Sequence, residues 1–503
     1  MTHARIASSC LLLAALGCGD STADPPADGS SGDSTGTTPG TTTTLDTSGD
    51  TTTGSPPGSS SDTAPDSSDG TTTAGVGPEI EVSVEARPVA SGGSVALPPV
   101  GVSAVGETVV VTIENAGSET LELGAITLDQ GATAHFALDD TGVEAMVAPG
   151  ASTSVSVTFD PSNGGRKSAQ LAIESNDADE ATYLVTLDAR TPANTYRLLQ
   201  PATPPSVRFN AAIAGTGDGR VLMFGGRGSD GARLSDTWLL DPEAGEWTEL
   251  SPPVSPSARD SHSMATAGAG AVLLFGGNFT NGPMPTPLDD TWVFDLAAET
   301  WTELLPPEAP PSRYQHALVP VGDGMVMAFG GRAGFGLEYD DTWVFDLAAE
   351  TWADLAPATS PGTRSAFSMA FDGDDTVLLV GGTNDSVIIS DQTWAYRVGA
   401  NDWEPLAVAG QGEHFNAAGA WVEGVFVSHG GKGTCCTEPV AVTWAYDPGA
   451  DAWSDISPMT QPVPRFSHTM EAVGPDKAII FGGLLMNANN ESATAQTWEY
   501  VGP

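Results

Sequence analysis

The sequence predicts an all-β chain, and three observations carry that prediction. Residues 78–192 alternate apolar and polar side chains at the two-residue period of a strand. Beyond them a double glycine closing a short apolar run occurs six times, as VLMFGG, VLLFGG, VMAFGG, VLLVGG, VFVSHGG and AIIFGG, ending at Gly226, Gly277, Gly331, Gly382, Gly431 and Gly483. A Thr-Trp pair follows each of these after 12 to 15 residues, at Trp238, Trp292, Trp343, Trp394, Trp444 and Trp498. After the first five a second tryptophan stands nine positions on, at Trp247, Trp301, Trp352, Trp403 and Trp453. Eleven of the twelve tryptophans are thus placed by one repeat with a period near 51.

The N-terminus reads as an export signal. MTHAR is a short basic start, and IASSCLLLAALG is an apolar run too short to span a bilayer comfortably. Residues 1–17 end at Gly17 before Cys18, which resembles a bacterial lipoprotein signal whose lipidated cysteine becomes the mature N-terminus. Ala15 departs from the Leu such signals prefer there; an ordinary cleaved signal with an incidental Cys18 is the plainer alternative. Residues 18–77 are rich in Ser, Thr, Gly, Asp and Pro and nearly free of large apolar residues, so burial cannot offset ordering entropy and a disordered linker is expected. No later apolar run is long enough for a membrane span.

In residues 78–192 the clearest strands are VTIEN (111–115), STSVSVTFDP (152–161) and SAQLAIESND (168–177), separated by the turn signals NAGSE, APGAS and PSNGG. Val155, Val157 and Phe159 point one way and Ser154, Ser156 and Thr158 the other. About 115 residues of this pattern predict an antiparallel β-sandwich. Asn115, Gly117, Pro149-Gly150, Phe159-Asp160-Pro161 and Ser175-Asn176-Asp177 resemble an immunoglobulin-like (Ig-like) module of bacterial surface and ciliary proteins, which implies a spacer or docking role.

The repeat of residues 193–503 resembles the kelch repeat, and six copies imply a six-bladed β-propeller. Each unit reads as four strands, a to d from the axis outward, with Gly-Gly after strand b, Thr-Trp on strand c and the second tryptophan on strand d. DTWVFDLAAETW, identical at 290–301 and 341–352, is then strand c, a turn and the start of strand d; its counterparts LDPEAGEW and YDPGADAW carry turn-forming Pro and Gly, against a helix. The sixth unit stops at QTWEYVGP, whereas NTYRLLQPATPPS (194–206) aligns with ETWTELLPPEAPPS, Tyr196 standing for the tryptophan. Residues 195–200 are therefore expected to supply the outermost strand of the last blade and close the ring.

Kelch propellers include enzymes of the galactose-oxidase and sialate-epimerase type, so chemistry was sought. His262, His316 and His468 each follow an arginine by three residues (Arg259, Arg313, Arg465), a repeated position that reads as structural filler. No catalytic set specific to one blade is apparent, and neither a catalytic residue, a metal nor another cofactor is assigned. Cys435-Cys436, in the b–c loop of blade five, is either an adjacent-residue disulfide or a reduced pair.

The net charge of −46, from 64 acidic and 18 basic residues, disfavours nucleic acid. Eight of the thirteen basic residues in 195–503 fall in two loops of one face: Arg227, Arg332 and Lys432 after Gly-Gly, and Arg208, Arg259, Arg313, Arg364 and Arg465 before strand a. They suggest a positive ring at one mouth, suited to an anionic ligand, although Asp230, Asp289, Glu338, Asp340 and Glu438 share the face and the pre-strand arginines belong to the repeat itself. The reading is an exported, lipid-anchored bacterial protein of the outer membrane or cell surface, held by its lipid alone. Its propeller binds an extracellular protein or glycan. The alternatives are a surface carbohydrate-active enzyme and a structural envelope component.

Overall fold

In the computed structural model of the chain, the alternation of STSVSVTFDP becomes the strand Ser152–Phe159, with Val155, Val157 and Phe159 buried. The structure describes residues 77–503 except 103, 281, 283, 335, 385–390, 408–414, 434–437 and 488–489. The export signal, Cys18, the linker, His414 and Cys435-Cys436 lie outside the described residues. Among the described residues there is no α-helix, and no helix is long and apolar enough to cross a membrane.

Residues 80–190 form two five-stranded sheets enclosing one core. Strands Glu107–Asn115 and Ser152–Phe159 pair in one sheet, and Leu121–Gly131, Arg166–Ser175 and Thr182–Arg190 in the other. Pairing is antiparallel except for Gly93–Ala96, which runs parallel to Thr182–Arg190. Val111, Ile113, Val157, Leu171, Ile173 and Val185, all fully buried, meet between the sheets.

Six four-stranded antiparallel sheets follow, each in the order a-b-c-d. In sheets one to six, strand a is Ala212–Gly215, Ser263–Thr266, Ala317–Pro320, Ser368–Phe371, Ala418–Val422 and Thr469–Ala472. These strands neighbour one another cyclically, the sixth returning to the first. The fourth strand of sheet six is Thr195–Leu198, paired with Thr497–Val501, as the unequal ends of the repeat predict. The twelve-residue copies are Thr291–Asp295 with Thr300–Leu304 and Thr342–Asp346 with Thr351–Asp354. The turn between them is held by Asp295 or Asp346, whose side chain accepts backbone N–H groups, and it ends with Glu299 or Glu350 at positive φ. Sheet one places Gly245 there.

The repeated residues tie each sheet to its neighbour. The indole N–H of each strand-d tryptophan donates to the threonine of the preceding sheet's Thr-Trp: Trp301 to Thr237, Trp352 to Thr291, Trp403 to Thr342, Trp453 to Thr393 and, across the closure, Trp247 to Thr497, at 2.9–3.2 Å. Tyr196 completes the cycle with its hydroxyl 3.0 Å from Thr443 Oγ1. The same tryptophans pack on the preceding sheet's Phe-Gly-Gly phenylalanine, as with Phe224–Trp301 and Phe275–Trp352 at ring separations of 5.4 and 5.1 Å. The double glycine is a close approach: a Cβ on Gly276 would sit 2.7 Å from the Arg313 carbonyl of the next sheet, and one on Gly277 2.7 Å from His262 Cβ.

Candidate ligand-binding face and channel

The arginine before strand a turns inward. Arg208 donates both terminal nitrogens to Asp236 at 2.7 Å and one to the Gly225 carbonyl at 2.9 Å. Arg259–Asp290 and Arg313–Asp341 repeat this geometry at 2.6 and 2.7 Å. Each aspartate also accepts the indole N–H of Trp238, Trp292 or Trp343. The arginine carbonyl meanwhile accepts the second glycine of the preceding sheet, so one residue stitches two sheets. Asp236 shows the balance: burial pushes its carboxyl up, but the Arg208 hydrogen bonds and charge outweigh that and hold it below its usual range. In sheets four and six the acid is replaced by Gln392 and Gln496, and burial pushes Arg364 and Arg465 down to about 10.

These facts correct the expected positive ring. Arg208, Arg259, Arg313 and Arg465 have 0% exposure and Arg364 4%, so their guanidinium groups are interior ties and not a surface for an anion. Arg227, Arg332 and Lys432 do reach the mouth, half-buried. Their charge is shared with acids: Arg332 lies 3.5 Å from Glu338, Lys432 3.1 Å from Glu491, and Arg233 beside Arg227 is 3.2 Å from Asp260.

What the mouth does carry is a row of cation–aromatic pairs. Phe209 lies opposite Arg227 in register, Tyr314 opposite Arg332 and Phe415 opposite Lys432. Arg227 and Arg332 stand 5.9 Å above Phe209 and Tyr314, and Lys432 stands 3.7 Å above Phe466 of the next sheet. Sheets two and four place Asp260–Asn278 and Ser365–Thr383 at this register. Every exposed large apolar side chain of residues 195–503, among those described, lies in a b–c or d–a connection, including Val254, Phe279, Met284, Leu305, Leu337 and Met459. The aromatics that follow three of the arginines, Phe209, Tyr314 and Phe466, were not singled out from sequence. Aligning the copies one residue beyond the arginine would have set them against Asp260 and Ser365 of sheets two and four.

The opposite turns hold the two-sheet sandwich. Lys477 Nζ lies 2.6 Å from Glu243 Oε1 and Lys167 Nζ 3.6 Å from Glu243 Oε2; burial pushes the Glu243 carboxyl up, but the Lys477 hydrogen bond and both lysine charges outweigh it and bring it to about 2. The Gly164 N–H donates to Glu499 at 2.9 Å, the Arg166 N–H to Asp476, and the Arg166 guanidinium to Glu423 at 2.8 Å. The junction thus uses residues of sheets one, five and six on the a–b and c–d side. In the sandwich itself the carboxylates of Glu79, Asp177 and Asp179 gather within 4.8 Å, with Asp177 accepting the Ile80 N–H.

At the opposite mouth six residues at positive φ form a closed ring of backbone hydrogen bonds. Asn210, Ser261, Gln315, Ala366, Asn416 and Ser467 each donate N–H to the preceding member's carbonyl at 2.9–3.1 Å. Next to them, His262 and His316 wedge between the glycines of consecutive sheets, as filler. Burial pushes His316 down to about 3 and His262 and His468 well below their usual range, so all three are neutral. The strand-a segments line a channel of about 280 Å³, with many Ala, Ile, Leu and Met side chains beside Ser, Thr and His and, among the described residues, one carboxyl, Glu471.

A ring of repeated sheets built on Gly-Gly and Thr-Trp defines a kelch propeller. The chain belongs to the kelch-repeat family: the model described as the KLHDC2/KLHL20/DRC7 Kelch-repeats domain matches residues 164–382 and 305–483. Similar curated proteins include Adagio protein 3 of Arabidopsis thaliana, 28% identical over 209 residues covering 40% of this chain and 33% of that protein. Adagio-like protein 1 of Oryza sativa subsp. japonica is 28% identical over 307 residues, 56% of this chain and 47% of that protein. An F-box/kelch-repeat protein of Arabidopsis thaliana is 29% identical over 177 residues, 33% and 36% of the two chains. The chain spans between a third and a half of the length of these relatives. A solved structure titled "Structure of YjhT" aligns with 59% of this chain and 96% of its own at 16% identity and a TM-score of 0.48.

Proposed function

We propose that the chain is an exported, lipid-anchored surface protein whose six-bladed kelch propeller (residues 193–503) is a binding module, carried on an Ig-like β-sandwich (78–192) behind a linker at 18–77 and a signal at 1–17. Its ligand is a protein or glycan of the cell exterior, met on the b–c and d–a loop face. One observation carries this reading: among the described residues the propeller's exposed large apolar side chains all lie in those loops, beside the cation–aromatic pairs, while the sandwich engages the opposite turns. An exposed apolar surface rimmed by polar residues marks an interaction site. The alternative of a surface carbohydrate-active enzyme gains no support from His262 and His316, which serve as wedges between glycines. The test is a surface-protein and glycan binding screen with the full chain, Phe279→Ser with Leu305→Asp against Ala349→Glu on the opposite turns. Loss of a captured ligand in the first variant alone supports the loop face; loss in the second alone refutes it.

A further inference from the structure

The innermost strands of a repeat should be interchangeable, and at one register they are not. Ala214, Ala265, Val319, Ala370, Ala420 and Glu471 occupy equivalent positions, each opposite an apolar residue of strand b: Leu222, Leu273, Met327, Leu378, Val427 and Ile479. Five are small or branched apolar residues and the sixth is a carboxylic acid. Glu471 lines the central channel, and its Oε1 accepts the Gly215 N–H of sheet one at 2.9 Å. Among the described residues it has no ion-pair partner. Partly desolvating a carboxyl on a channel wall without a counter-charge is costly. The position is therefore suited to receive a cation from outside.

The surroundings narrow the class. The cavity of about 280 Å³ is near the low end of small-molecule sites, which run from ~300 Å³ upward. Its lining combines apolar side chains, among them Ile213, Met264, Leu318, Met369 and Met470, with polar ones that include Ser263, Ser368 and Thr469. In every sheet strand a leaves its axial edge unpaired, so backbone carbonyls as well as N–H groups face the channel, and Glu471 takes up one of those N–H groups, from Gly215. The net charge of −46 draws cations toward the molecule and repels anions. Apolar side chains in a mixed lining, one carboxyl and edge carbonyl acceptors match a positively charged nitrogen with several N–H donors on a short hydrocarbon tail.

We propose that the propeller channel is a binding site for a small primary alkylammonium, with Glu471 as its counter-ion. This site is separate from the loop face, so failure of either proposal leaves the other standing. Burial pushes the Glu471 carboxyl up to about 7, partly opposed by the Gly215 hydrogen bond, so the binding form is populated as pH rises through neutrality. Among the described residues the other titratable groups lining the cavity do not share that range: His262 and His316 are present in neutral form. Lys477, on the strand paired with Glu471, is engaged by Glu243 at 2.6 Å and Glu499 at 3.9 Å.

The test is calorimetric titration of the full chain with butylammonium chloride at pH 8 and pH 6, on wild type and Glu471→Gln, which keeps the size and an oxygen for the Gly215 N–H. Saturable binding at pH 8, about tenfold weaker at pH 6 and lost in the variant, is expected from the ionised fraction either side of the midpoint. In ¹³C-glutamate-labelled wild type, saturating butylammonium should move the Glu471 carboxyl titration downward, a readout that does not depend on the variant folding. Absence of saturable binding, equal binding by Glu471→Gln, or equal occupancy by sodium or potassium chloride at the same concentration would overturn the proposal.

Discussion

Sheet six offers a stabilising substitution written in its own neighbours. In sheets one to three a buried arginine faces an aspartate, whereas Arg465, fully buried, faces the neutral Gln496 through one hydrogen bond of 2.6 Å. Gln496→Asp installs the carboxylate of Asp236, Asp290 and Asp341 at the same distance from the Thr-Trp pair. The magnitude follows from Arg465 itself: its pKa, lowered from 12.5 to about 10, corresponds to roughly 3 kcal/mol against the charged guanidinium at 1.36 kcal/mol per unit. That figure is a ceiling, because the new carboxylate is itself desolvated; Asp290 retains 21% side-chain exposure in the same role. A net gain of about 1–2 kcal/mol is expected, with a bidentate pair replacing a single bond.

The assay is urea unfolding of Gln496→Asp and of the reverse change, Asp290→Gln in sheet two, at pH 7 and pH 3. The engineered aspartate, like Asp236, should have its folded pKa held below the unfolded value of about 3.9. Its contribution is then present above that value and lost as pH falls through the folded pKa. Gln496→Asp should raise the midpoint at pH 7 and much less at pH 3, and Asp290→Gln should lower it by a comparable amount. A midpoint for Gln496→Asp at or below wild type at pH 7 would refute the view of these arginines as under-neutralised interior ties.

Two further perturbations test the ring. Tyr196 is buried and its hydroxyl meets Thr443 across the closure, so Tyr196→Phe should cost about 1 kcal/mol and Tyr196→Ala about 3–5, with deletion of 195–198 worse than either; melting at the wild-type temperature after deletion would break the closure scheme. Gly277→Ala places a Cβ 2.7 Å from His262 Cβ at φ +108°, whereas Gly219→Ala at φ +91° meets nothing within 4 Å, so calorimetric melting should show the first far below the second, and equal losses would mean that backbone conformation alone matters.

The strands, their order and the ring closure were legible because repetition makes physical constraints visible. Gly-Gly recurs where the next sheet's backbone comes close, and Thr-Trp recurs because the threonine waits for a neighbour's indole. The arginines recurred in five of the six copies, which is why their charge misled: a residue kept at one register by nearly every sheet is more readily explained by a tie that the sheets share. Reading them as a ligand surface required exposure, and exposure is set by the direction a side chain takes from the strand end. Sequence spacing places Arg313 on the right loop without saying that it turns inward to Asp341, 28 positions on.

The converse holds for the residues that break the pattern. Gln392 and Gln496 replace a charge that sheets one to three keep, Tyr196 replaces a tryptophan, and Glu471 replaces an alanine or valine. Scaffold packing explains Tyr196, because Thr443 and His429 receive its hydroxyl. It accounts less well for Glu471, since an apolar side chain fills the same position five times and avoids desolvating an acid. A fold that repeats thus separates two demands that ordinary domains superimpose: the shared residues answer to packing, and a deviation that packing disfavours must be held by something else. In this chain that argument leads to the loop face, where the copies diverge, and to the single carboxyl on the axis.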